Sequence, residues 1–262
     1  MRLAPITTFR VALFLATGLH FLPTVIAWQD NYGVGAFRVS DWNGSLGSAL
    51  AQAPWLCILA ALIMFASVGL GVLGIATRAS AALLLLSTFA LASTNSLNVQ
   101  TLALPLAWSL LLLVALFGRD GEMGIPLHRP RSGKLPNGFC GEILIWQLLL
   151  GLFCAGLEKL AAGWWTSNPL EVLFNYPSGH LLRDWVGQAN IPSTVSNALS
   201  RSVVFAELAI PAASLVPFFR PMVFVCLEAF FLGAWAVFEV PPLFPIIYMA
   251  GGALLLVRPR SD

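Results

Sequence analysis

Charge is what this sequence has least of: 14 Lys and Arg and 12 Asp and Glu serve 262 residues, while 58% of the chain is hydrophobic. A water-soluble chain needs roughly a quarter of its residues charged to wet its surface. The shortage therefore excludes a soluble globular domain, and the apolar content excludes a disordered one. A formal net charge of +2 gives no reason to expect a nucleic-acid partner. Cysteine is also scarce. Cys57, Cys140, Cys154 and Cys226 show no C-x-x-C spacing, and three of them sit in apolar runs, so they read as small hydrophobes without disulfide or metal chemistry. G-x-G-x-x-G, P-loop, zinc-ligand and G-x-S-x-G patterns are all missing, which leaves nucleotide, metal and serine-hydrolase chemistry without support.

What the chain does have is long apolar runs. Trp42 to Thr77 and Ala79 to Gly118 contain no charged residue, and each is longer than the ~20 residues of one membrane crossing. The expected fold is all-α integral membrane, a single domain over 1–262 built as a bundle of about eight transmembrane helices. Breaks at polar, Pro and Gly positions place the spans near Thr8–Ala27, Pro54–Ile75, Ser80–Ser96, Thr101–Phe117, Ile143–Ala162, Ser202–Phe218, Met222–Phe238 and Leu243–Val257. Arg2 and Arg10 ahead of the first apolar run resemble a signal peptide, but Val25-Ile26-Ala27 is a poor cleavage site, and a retained first span is expected.

Basic residues orient the bundle, because Lys and Arg gather in cytoplasmic loops. With the N-terminus inside, Arg2, Arg10, Arg78, Arg119, Arg129, Arg131, Lys134, Arg220, Arg258 and Arg260 fall on the cytoplasmic side. Only Arg38, Arg183 and Arg201 fall outside, so both termini are expected on the cytoplasmic side. The loop Gly118–Gly141 reads as a flexible cytoplasmic connector. Two outer segments, Gln29–Ala53 and Gly163–Arg201, are aromatic and polar, as interfacial segments are. The second carries Trp164, Trp165, Phe174, Tyr176 and Trp185, rings suited to roofing a cavity. His180, also in it, reads as a solvated surface residue.

A charge in hydrocarbon costs at least ~2.5–3.5 kcal/mol, so each ionisable group inside a span is a candidate site. The set is His20, Glu158, Lys159, Glu207 and Glu228, with Glu239 just past the seventh span. Lys159 has two readings. It either snorkels to the outer headgroups, paired with Glu158 or Glu207, or it sits in a desolvated pocket where a neutral amine serves as base or nucleophile. Glu207 and Glu228 read either as carboxyls held between helices or as catalytic partners of Lys159. His20 reads as a packed, hydrogen-bonded imidazole or, with Glu158, Trp164 and Trp165, as part of a cofactor-binding cavity.

The run Ala155-Gly156-Leu157-Glu158-Lys159-Leu160-Ala161-Ala162-Gly163-Trp164 has the form A-G-x-x-K-L-x-x-x-W. This resembles the vitamin K-dependent gamma-carboxylase membrane domain and its bacterial relatives, the HTTM (horizontally transferred transmembrane) family. Thr8-Phe9-Arg10, Thr94-Asn95, Arg119-Asp120-Gly121-Glu122, Glu207-Leu208-Ala209-Ile210-Pro211 and Phe244 extend the likeness along most of the chain. The resemblance implies that Lys159 deprotonates a reduced, vitamin K-like quinone. In the seventh span, Glu228 of Val225-Cys226-Leu227-Glu228 stands where the family often has a histidine. The carboxylases' large luminal domain has no counterpart before Asp262, so a separate substrate-presenting protein is implied. Members without that domain include a maturation protein for a secreted toxin of the sporulation-delaying type, which implies a secreted peptide as partner. Two other classes share the same charges: a transporter or lipid-binding protein, and a non-catalytic assembly or immunity partner. No match between the two halves of the chain supports a transporter.

Overall fold

The computed structural model describes residues 5–28, 53–94, 103–118, 139–175, 191–237 and 243–256. The calls on Gln29–Gln52, Asn95, Arg119–Glu122, Tyr176, His180, Trp185 and Glu239 lie outside these residues. Among the described residues the order is α1 (Pro5–Ile26), α2 (Pro54–Leu73), α3 (Thr77–Thr94), α4 (Ala103–Phe117), α5 (Phe139–Ala161), α6 (Pro169–Asn175), α7 (Ser193–Ser214), a 3-10 turn (Pro217–Phe219), α8 (Arg220–Val237), α9 (Leu243–Gly252) and a second 3-10 turn (Ala253–Leu256). No strand occurs among them. The chain is an all-α, multi-pass membrane protein. Among the described residues, five stretches are long and apolar enough to cross a bilayer: Ile6–Ile26, Pro54–Leu73, Thr77–Thr94, Gly141–Ala161 and Pro217–Ala236. Leu104–Phe117 and Leu243–Leu256 are shorter apolar helices.

The expected sixth span, Ser202–Phe218, differs most from what is found. Its helix, α7, begins at Ser193 behind Pro192, ends at Ser214, and is not among those five stretches. The reason is directional. Ser196, Ser200, Val204, Glu207, Pro211 and Ser214 recur every three or four residues and are buried, while Val195, Leu199 and Phe205 are exposed. The polar stripe of a 3.6-residue period faces protein here and the apolar stripe faces out, the reverse of a soluble helix.

Backbone contacts divide the chain into two compact units, which meet in sequence inside α5, between Leu144 and Ile145. In the first, α1 packs on α2, α2 on α3 and α3 on α4. Small hydroxyl residues again point inward. Ser87, Thr88, Ser93 and Thr94 are buried, each bonded to a carbonyl in the preceding turn, as in Thr88 Oγ1 to the Leu84 carbonyl at 2.7 Å. Thr88 Oγ1 also accepts the Trp108 indole N–H at 3.0 Å, tying α4 to α3. Leu62, Leu83 and Leu86 are exposed, a surface that suits lipid.

Two of the arginines expected at the cytoplasmic border have carbonyl partners. α2 ends at Gly74 in the left-handed conformation (φ 73°), with Gly74 N–H on the Gly71 carbonyl and Ile75 N–H on the Leu70 carbonyl. That cap leaves the Val72 carbonyl, which accepts Arg10 Nη2 at 3.0 Å. Arg78 Nε likewise donates to the Ala115 carbonyl near the end of α4, at 2.9 Å. A cation at the partly negative C-terminal end of a helix is favourable. Arg10 is completely buried within the packing of the first unit.

The α1–α2 seam depends on Gly71, where a Cβ would lie 2.0 Å from the Phe14 ring. Gly71→Ala is expected to destabilise the protein by about 1–3 kcal/mol through overpacking. A lowered unfolding midpoint in detergent checks it, and an unchanged midpoint would show that the seam is loose.

Candidate functional site

The second unit is built from α5 (from Ile145), α6, α7, α8 and α9, with α7 on α6 and α8, and α8 on α9. Its centre of charge is an ion pair. Lys159 Nζ donates to both carboxylate oxygens of Glu207, at 2.6 and 2.8 Å. The Glu207 side chain is 7% exposed and that of Lys159 25%, so the carboxylate is sealed while the lysine side chain is partly exposed. Among the described residues, no group of three or more His, Cys, Asp and Glu is arranged to hold a metal.

The residues around Lys159 explain why the pair forms there. Gly156, one turn earlier on α5, faces α7: a Cβ on it would stand 3.0 Å from Glu207 Cβ and 3.0 Å from Leu208. A larger residue would therefore push α7, and Glu207 with it, away from α5. After Lys159 the helix closes on Gly163, which takes φ 79°. Gly163 N–H bonds the Leu160 carbonyl at 3.1 Å and Trp164 N–H bonds the Lys159 carbonyl at 3.0 Å, the paired hydrogen bonds of a left-handed helix cap. Such a cap folds the residue after the glycine back over the last turn. Trp164 thus lies with its ring centroid 5.5 Å from Lys159 Nζ, within cation–π range. The spacing from Lys159 to Trp164 is the length of this cap, which gives the K-L-x-x-x-W element a mechanical meaning.

The other candidate residues go to different places. Glu158 is exposed on α5, because one residue turns a helix by about 100° and carries it off the face that meets α7. Lys159 therefore pairs with Glu207, not with its neighbour in sequence. Trp165 is exposed and bound to Arg201: Arg201 Nε donates to the Trp165 carbonyl at 3.1 Å, with the guanidinium 5.9 Å from the indole. Trp164 and Trp165 thus hold different cations. His20 belongs to the first unit, where it meets Phe21 edge to face. Glu228 sits on α8 without joining the pair.

Two features were not singled out from the sequence. Tyr248 of α9 is buried, donates its hydroxyl to the Leu148 carbonyl of α5 at 3.1 Å, and stacks on Phe231 of α8 at 4.2 Å. A phenol inside the last apolar segment was the available signal. Asn168 is a hub: its amide donates to Glu171 Oε2 at 2.6 Å, Ser196 Oγ at 2.8 Å and the Ser193 carbonyl at 3.1 Å. It ties α6 to the first turns of α7, and Arg201 on Trp165 makes a further link. Together they anchor the segment after Trp164 to the helix that carries Glu207.

The fold and this pair define a multi-pass helical membrane protein with a lysine–glutamate pair inside one helical unit. The chain matches no known protein family, no curated protein and no solved structure.

Removing one partner of a sealed pair strands the other charge, which costs more than the pair itself contributes. Lys159→Met is expected to lower stability by about 2–4 kcal/mol, and adding Glu207→Met to restore much of the loss. A double-mutant cycle by thermal unfolding reads the coupling directly. Strictly additive losses would mean the two groups do not interact.

Proposed function

We propose that the chain is an enzyme-like membrane protein of the gamma-carboxylase/HTTM type, in which Lys159 and Glu207 handle a proton of a lipid-soluble reduced quinone during maturation of a secreted peptide. The observation that supports this best is the partly exposed Lys159 bonded to the sealed carboxylate of Glu207. Eight spans, both termini in the cytoplasm of a bacterial plasma membrane, and a separate protein presenting the peptide belong to the same reading.

The residues present suit a hydroquinone in one respect. Of the two partners Lys159 is the more exposed, so its amine is the group offered to a hydroxyl while Glu207 is covered. When bound, the hydroquinone supplies an acidic hydroxyl. Lys159 Nζ first passes a proton to Glu207, a transfer within a pair whose net charge stays zero and which therefore suits a site poor in water. The neutral amine then takes up the hydroxyl proton, and the pair's new positive charge balances the oxyanion left on the substrate. Trp164 presents its ring to the ammonium formed in that step. Glu207 is thus the proton store and Lys159 the base.

A second reading rests on the completeness of the same pair. With both carboxylate oxygens on Nζ, the contact also serves as a structural pin between α5 and α7 in a non-catalytic assembly partner. Lys159→Arg separates the two. Arginine keeps the charge and can bond both oxygens, but it does not give up its proton. The catalytic reading expects a folded Lys159→Arg protein that, in liposomes under air with dioxygen as the oxidant, consumes a reduced naphthoquinone at least ~100-fold more slowly, the usual scale of a lost general base. Full turnover by that variant would overturn the base role and leave the pin.

A further inference from the structure

We propose that Glu228 forms a second site, a proton-binding carboxyl lodged between α8 and α9 and open to covalent modification by hydrophobic carbodiimides. Glu228 lies near the middle of the Pro217–Ala236 span, and its Oε1 is buried with no hydrogen-bond partner. The surroundings are apolar. Gly252 of α9 opens the space the carboxyl occupies: a Cβ there would stand 2.9 Å from Glu228 Oε1, 3.1 Å from Leu227 Cδ2 and 3.3 Å from Phe224 Cδ2. One turn further along the same seam, Phe231 stacks on Tyr248, with Phe244 against both.

No described cation is placed to neutralise this group. On α8 itself the charged residue is Arg220, eight residues earlier and so about 12 Å along the helix, and Cys226 is the other titratable group. On α9 the titratable group is Tyr248, whose hydroxyl is donated to the Leu148 carbonyl. On α7 they are Glu207, held by Lys159, and Arg201, held by the Trp165 carbonyl and ring. An ionised carboxylate only accepts hydrogen bonds and needs donors, while the acid form carries its own hydrogen and no charge. A lipid-embedded seam without donors fits the acid form. Glu207 has its own cation and does not need a proton from the medium.

The acid form has a specific reactivity. Its O–H adds across one N=C bond of a carbodiimide: the proton goes to nitrogen and the carboxyl oxygen bonds the central carbon, giving an O-acylisourea. Migration of the acyl group to nitrogen makes a stable N-acylurea, with no leaving group and no change of oxidation state. The full chain in liposomes is treated with dicyclohexylcarbodiimide, or with a water-soluble carbodiimide, and mapped by peptide mass spectrometry. The expected result is an adduct on Glu228 with the hydrophobic reagent alone, declining as pH rises and lost in Glu228→Gln, while Glu207 stays unmodified. A Glu228 unmodified at every pH, or modified equally by the water-soluble reagent, would overturn the proposal. The wild-type map decides it even if the variant does not fold.

Discussion

The contact on which the second unit depends is the ion pair of Lys159 with Glu207. Two opposite charges inside a helical membrane unit are tolerable only if they meet, because each alone costs several kcal/mol to keep from water. Meeting requires that α5 and α7 approach closely, which Gly156 allows, and that α5 end just past the lysine, which Gly163 arranges. The same ending lays Trp164 over the ammonium. Three small features of one ten-residue stretch thus serve a single electrostatic demand, and α7 is anchored at its other end by Asn168, Ser196 and Ser200.

Around this contact both units follow one packing rule. In lipid, apolar surface gains nothing by hiding, so small and polar side chains turn inward and large apolar ones outward. Ser87, Thr88 and Thr94 of α3 and Ser196, Ser200 and Ser214 of α7 are inside, while Leu62, Leu86, Phe205 and Trp235 are outside. Arg10 and Arg78 extend the rule to the helix ends, where each takes a carbonyl that helical hydrogen bonding leaves over. Glu228 departs from it, a carboxyl inside an apolar span with a buried oxygen that no hydrogen-bond donor meets.

Much of this architecture was legible in the sequence, because hydropathy and length report composition along the chain. Each expected span overlaps a helix among the described residues, and Pro54, Phe117 and Leu243 mark element ends as expected. Direction was harder to read. Ser202 looked like the start of a span because Ser193 to Arg201 is polar, yet those residues open α7 and turn toward Asn168. That Arg10 is buried was not legible, because composition does not register burial. Lys159 stood out as a candidate from its place in an apolar run, and Glu207 and Glu158 were both open as partners. Only helix rotation separates them, by moving Glu158 off the face that meets α7. Tyr248 passed unnoticed because one hydroxyl hardly alters the hydropathy of an apolar helix.

The central claim is that Lys159 and Glu207 are bonded inside the protein in a membrane. Solid-state NMR on the chain in liposomes, with ¹⁵N in lysine and ¹³C in glutamate side chains, tests it through the dipolar contact between Lys159 Nζ and Glu207 Cδ. A strong contact, assigned by its loss in Lys159→Arg, is the expected result. A Lys159 amine in fast exchange with bulk water and without that contact would contradict the account.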